Sequence, residues 1–173
     1  CQTIDNILEL FALHKICNWD QPTVDIIPLF ETIPDLKVCV KIMETLFEDE
    51  QYRKHLASRG DKQTVMLGFS DGTKDGGYFM ANWSIYKAKE DLTALSNSHG
   101  ISVAFFDGRG GPPARGGGNT HEFYASMGKR IQADDIQLTI QGQTISSNFG
   151  TNDSCQYNLE QLLSSGIQNQ VFN

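Results

Sequence analysis

The chain has 173 residues, enough for one packed domain and short for two. Its 39% hydrophobic and 20% charged content supports a core and excludes wholesale disorder. The balance of 14 basic against 21 acidic residues, a net of −7, is wrong for a general nucleic-acid binder, which needs a basic face to neutralise phosphates.

Ile4, Ile7, Leu8, Phe11 and Leu13 recur at helical spacing and predict a helix over residues 3–17. Residues 24–30 are short and rich in β-formers, a strand bounded by Pro22 and Glu31. A long helix is expected from Asp35 to near Gly60, with Leu36, Val40, Met43, Leu46 and Phe47 on one face. Residues 64–69 read as a buried strand, followed by a glycine-rich turn and a helix over 78–98 that Gly100 terminates. Residues 101–106 and 136–140 make two further strands. This βα alternation predicts an α/β fold with a parallel sheet and helices outside. No apolar run approaches the roughly 20 residues of a membrane span. The chain opens at Cys1 inside a predicted helix, with no initiator Met or leader, and is expected to be a piece cut from something longer.

Cysteines at 1, 17, 39 and 155 form no CxxC pair, which argues against structural zinc and against a disulfide framework, and points to reduced thiols in a cytoplasmic protein. Of 16 glycines, 11 fall between Gly68 and Gly118. Chemistry in α/β folds gathers at the C-terminal ends of strands. Three such ends stand out: Glu31, the 70–75 stretch with Asp71 and Lys74, and Asp107-Gly108-Arg109. Glu31 and Asp71 together would offer hard oxygen ligands to Mg²⁺ or Mn²⁺. The plainer alternative, a helix first-turn residue and a turn former, is the commoner use of acids at such places. The stretch from Asp71 has neither the ligand spacing of a calcium loop nor the Gly-Lys-Ser/Thr of a phosphate loop. Lys74, held among glycines, is placed either to meet an anion or as a solvated turn lysine. Residues 108–118, with Arg109, Arg115 and freed backbone amides, suit a phosphate or carboxylate cradle. A linker or an RNA-binding Arg-Gly-Gly segment is the alternative. His14, His55 and His99 fall on predicted helices or their ends, where structural roles are expected; His121 alone is near the candidate chemistry. Trp19 and Trp83 read as core or interface residues.

Three stretches resemble phosphoenolpyruvate carboxylase: Pro28-Leu-Phe-Glu-Thr32, residues 65–77 (VMLGFSDGTKDGG) and residues 106–118 (FDGRGGPPARGGG). Asn119-Thr120-His121, residues 137–142 and Phe149-Gly150 add to it, and the likeness runs along the whole chain. The resemblance implies that residues 1–173 are a fragment of one catalytic domain. The implied fold is a partial (βα) barrel of the TIM-barrel-like kind, about four βα units, in the central-to-C-terminal part of that barrel. It implies Glu31 and Asp71 as ligands of Mg²⁺ or Mn²⁺ and Lys74 as the lysine associated with bicarbonate. Arg109 would grip the substrate phosphate, and Arg115 would act in catalysis and feedback inhibition. Leu29 and Met66 would line the carbon dioxide pocket. The implied reaction has bicarbonate attacking the phosphate of phosphoenolpyruvate to give carboxyphosphate and an enolate. Carbon dioxide released from carboxyphosphate is then captured as oxaloacetate, feeding the tricarboxylic acid cycle. The implied parent is a cytoplasmic homo-oligomer, a tetramer by the same resemblance, with no nucleic-acid or membrane partner. The fragment lacks the segment holding the family's catalytic histidine and is expected to be inactive alone. Asp107 stands where the family usually has His, and Phe69, Gly72, Ala114 and Gln143 also depart from the usual residues. An acidic group at 107 is expected to weaken attraction for an anionic substrate, which leaves a non-catalytic homologue with a metal and anion site as the alternative.

Overall fold

The computed structural model describes residues 1–19, 22–110, 119–132 and 135–172. In chain order these form α1 (Asp5–Ile16), β1 (Leu29–Phe30), α2 (Ile33–Glu48), α3 (Glu50–Ser58), β2 (Lys62–Gly68), α4 (Ser70–Ser98), β3 (Ser102–Gly110), α5 (Thr120–Ala125), β4 (Ile136–Ile140), α6 (Gly142–Phe149) and α7 (Asn152–Phe172). The four strands make one parallel sheet in the order β1-β2-β3-β4. The α/β class with a parallel sheet thus agrees with the sequence reading.

Side-chain parity sorts the sheet into two unlike faces. Phe30, Val65, Leu67, Val103 and Phe105 join Leu36, Met43 and Leu46 of α2 and Ile85 and Leu92 of α4 in one buried cluster. Of the positions between them, Leu29, Thr64, Met66 and Phe106 are only half-buried, while Ala104 is buried. A buried polar chain ties the edge to the helices: the Tyr52 hydroxyl donates to Gln63 Oε1 (2.6 Å), and Gln63 Nε2 donates to the Ile26 carbonyl (3.0 Å). Cys39 is fully buried, its thiol donates to the Leu36 carbonyl, and burial pushes its pKa up to about 12. Among the described residues all four cysteines are free thiols.

Several boundaries differ from expectation. Within 24–30 only Leu29 and Phe30 pair as strand. Pro28 has no N–H to give, and Ile26 is held instead through Gln63. The long helix is two, because Asp49 leaves helical geometry and its carboxylate caps α3 through the Tyr52 amide (2.8 Å). The glycine-rich stretch after β2 is helical from Ser70, not a turn, with one break at Gly77 (φ 78°, ψ 166°). Residues 107–109 lie within β3 and not beyond its end. Trp19 and Trp83 are more than half exposed and are not core residues. Gly100, at φ 68°, terminates α4 as expected.

Candidate active site

Glu31 is fixed between two short-range constraints. The strand ends at Phe30, and Thr32 immediately begins α2 with a capping box: the Asp35 amide donates to Thr32 Oγ1 (3.2 Å), and the Thr32 amide donates to Asp35 Oδ2 (3.1 Å). Glu31 therefore stands ahead of the helix, not in its first turn. Leu29 pairs with Met66, and two residues on Glu31 lies over Gly68 on the same face of the sheet. A Cβ at Gly68 would come 2.7 Å from Glu31 Cγ, and one at Gly72 would come 3.2 Å from the Glu31 carbonyl. Glycine at these two positions is what lets the glutamate and the first turn of α4 approach each other.

Asp71 occupies that first turn, where the helix dipole favours a carboxylate. Its Oδ1 accepts from Lys74 Nζ at 2.7 Å in an exposed pair, an arrangement worth about 0–1 kcal/mol in stability. The structure thus brings Leu29, Glu31 and Met66 together, with Asp71 and Lys74 on the adjoining helix turn. Among the described residues no group of three His, Cys, Asp or Glu gathers to hold a metal. Two carboxylates with waters and a substrate oxygen are a donor set that a small hard dication accepts.

Arg109 is placed differently. It sits where the β3–β4 register slips between Asp107↔Leu138 and Gly110↔Ile140, a bulge of the kind that re-aims a side chain. Its guanidinium lies 4.0 Å over the Phe123 ring, 5.6 Å from Phe69, and donates to the Asn119 carbonyl at 3.3 Å. It is 3% exposed, its Nε has no partner among the described residues, and burial pulls its pKa down. Arg109 also lines a cleft of about 400 Å³ walled by Tyr78, Phe79, Trp83, Tyr86 and Phe123. It is therefore on the helix-covered side of β3, apart from Glu31 and Met66. His121 lines a second cleft, of about 260 Å³, with Leu138, Thr144 and Tyr157. Arg115 and most of the glycine loop lie outside the described residues.

Asp107 overturns the expectation attached to it. Its carboxylate is 1% exposed, bonded by Lys89 Nζ (2.8 Å) and by the Tyr124 hydroxyl (2.8 Å). Its charge is spent on Lys89 and is not presented to a ligand. Burial draws the Lys89 ammonium below its ordinary pKa while Asp107 draws it back; burial, then the Asp107 charge, pushes the Tyr124 hydroxyl well up. Lys89 Nζ also lies 5.1 Å from the Phe123 ring centroid, so two cations share one aromatic ring. Sequence reading missed Lys89, Phe123 and Tyr124. A signal existed for the first: Lys89 falls at helical spacing in the buried series Ala81, Ile85, Leu92, Ser96, where an unpaired lysine would be costly.

A sequence profile of the family described as phosphoenolpyruvate carboxylase matches residues 1–173. Proteins named phosphoenolpyruvate carboxylase are similar throughout. That of Corynebacterium glutamicum is 39% identical over 173 residues, covering 96% of this chain and 19% of its own length. That of Nitrosomonas eutropha is 44% identical over 149 residues, covering 86% and 16%. That of Corynebacterium diphtheriae is 39% identical over 166 residues, covering 96% and 18%. The chain thus spans less than a fifth of the length of these relatives.

Proposed function

The chain belongs to the phosphoenolpyruvate carboxylase family, and from that premise we propose that it is a section of a catalytic barrel forming oxaloacetate and inorganic phosphate from phosphoenolpyruvate and bicarbonate. The observation that carries the reading is the packing of Glu31 over Gly68 beside Leu29 and Met66, with Asp71 and Lys74 on the adjoining turn. A carboxylate pair next to an apolar wall suits a reaction that builds negative charge and must keep water from it. The half-buried face of the parallel sheet supports the barrel, whose interior further strands would close.

In this reading Glu31 and Asp71 hold Mg²⁺ or Mn²⁺, which when bound supplies positive charge beside the developing enolate oxygen. Lys74, released from Asp71, receives bicarbonate. An oxygen of bicarbonate attacks phosphorus, and the bond from phosphorus to the enol oxygen breaks, leaving carboxyphosphate and the enolate. Arg115 neutralises the phosphoryl oxygens during transfer, joined by Arg109 from the helix-side cleft that it lines. Carboxyphosphate then gives carbon dioxide and inorganic phosphate. Leu29 and Met66 keep the carbon dioxide site dry while the enolate carbon adds to it. The burial of Asp107 against Lys89 favours this reading over a non-catalytic homologue, because the acid does not oppose the anion. A cytoplasmic, homo-oligomeric parent goes with it.

The test is Asp71→Asn in the full-length protein that carries this sequence, assayed by coupling oxaloacetate to malate dehydrogenase. Activity falls by about 10²-fold or more, the scale of losing an electrostatic stabiliser of the transition state, and Mn²⁺ binding weakens. A variant with unchanged metal dependence removes Asp71 from the ligand set, and a wild type that makes no oxaloacetate defeats the proposal.

A further inference from the structure

Beyond the residues assigned above, one buried cluster remains without a role. Lys89 of α4, Asp107 of β3 and Tyr124 of α5 meet at bonding distance beneath the helix layer, each 5% exposed or less. Together they tie three elements at one point. The adjoining residue of α5, Phe123, carries the ring on which the Arg109 guanidinium rests at 4.0 Å. Arg109 follows Asp107 by two residues on the same strand. The arginine is thus held from both ends, along β3 by Asp107 and across the ring by a helix that Asp107 anchors. That helix has only six residues and needs such an anchor, since one so short has little stability of its own.

Charge makes the arrangement specific. Asp107 is the anion bonded to Lys89 and faces two cations, Lys89 and Arg109, while Asp135, which lines the same small cavity, is paired with Lys62. Both cations press on the same ring. Remove the anion, and Lys89 becomes a buried ammonium with no counter-charge beside a second buried cation. A histidine at 107 would have that effect while Lys89 is present.

We infer that Lys89, Asp107 and Tyr124 are positioning residues for Arg109, and that Asp107 and Lys89 are an interdependent pair. The inference rests on the proposed function only for the identity of the anion Arg109 meets. His at 107 is incompatible with Lys89 and becomes compatible when Lys89 is made neutral.

Four variants of the full-length protein test this: Asp107→His, Lys89→Gln, the double variant, and Tyr124→Phe. Asp107→His raises KM for phosphoenolpyruvate about tenfold or more, the scale of a displaced binding group, and lowers Tm. The double variant returns KM to within about threefold of wild type. Tyr124→Phe, which keeps every charge, covers the case in which Asp107→His does not fold; it raises KM with kcat little changed. Overturning results are an Asp107→His protein with wild-type KM, a double variant as impaired as Asp107→His, or a Tyr124→Phe protein with lowered Tm and unaltered KM. If the wild type makes no oxaloacetate, the functional reading fails by itself. The inference is then read from the dissociation constant for inorganic phosphate, followed by thermal shift. Equal constants in wild type and Tyr124→Phe overturn it, and weaker binding in Tyr124→Phe supports it.

Discussion

At the scale of single residues, His55 carries a pH response. Its ring is 5% exposed, packed edge-on against Phe11 at 5.5 Å, and its Nδ1 has no partner among the described residues. Burial, reinforced by the charge of Arg59, holds its pKa below the ordinary 6.5. The folded protein therefore resists protonating a group that the unfolded chain protonates readily. His55 contributes stability that is complete above pH 6.5 and is lost as pH falls through the lower folded value. The loss is about 1.4 kcal/mol per unit of depression. Melting curves of wild type and His55→Gln between pH 7 and pH 5 should converge as pH drops, because the variant has nothing to protonate. Curves that stay parallel would show that His55 contributes no such term. The same scale separates what the sequence disclosed of the site from what it concealed. Glu31, Asp71 and Lys74 could be read as neighbours because they lie in continuous motifs at strand ends, whereas Arg109, expected with them, lies within β3 and faces the helix side. Lys89 and Tyr124 were not, since each meets Asp107 across 17 or 18 residues of intervening chain. Only tertiary packing reveals that Asp107 is a buried partner and not a charge facing the ligand.

At the scale of elements, α4 is the instructive case. Its opening run, 71–77, contains three glycines and reads as a turn because glycine weakens a helix by about 1 kcal/mol per residue relative to alanine. Packing overrides that preference: a Cβ at Gly76 would come 2.1 Å from Ile33 Cδ1, so the bare backbone is what allows α4 to seat against the start of α2. Gly77 does something else. Its φ of 78° with ψ of 166° belongs to a region essentially reserved for glycine, and it divides the turn carrying Asp71 and Lys74 from the long apolar-striped stretch behind it. Gly77→Ala meets no steric neighbour, yet it should cost about 1–3 kcal/mol through backbone strain alone. Chemical denaturation checks this; an unchanged midpoint would mean that the break relaxes into continuous helix. The missed break between α2 and α3 has a related cause. Apolar periodicity runs on from Phe47 to Tyr52 and Leu56, and only the capping carboxylate of Asp49 marks the interruption. β1 was overestimated because β-forming residues beside a proline have propensity without a donor to spend in the ladder.

At the scale of the whole molecule, α7 carries a band left exposed among the described residues. Leu159, Leu163, Ile167 and Val171 recur every four residues and are between 48% and 67% exposed. Trp83 and Phe79 add further exposed apolar area beside α5. Contiguous surface of this kind marks a face that another surface covers. The isolated 173-residue chain should therefore self-associate, by light scattering at micromolar concentration; a clean monomer would contradict this. Leu163→Glu with Ile167→Glu should shift the chain toward monomer without altering its helical content. The sheet carries a different consequence. Because its spatial order β1-β2-β3-β4 is also its order along the chain, no strand has to slip between two already in place. Each βα unit can dock on a finished neighbour as it leaves the ribosome, so the topology leaves open assembly by accretion at one margin, in the direction of synthesis.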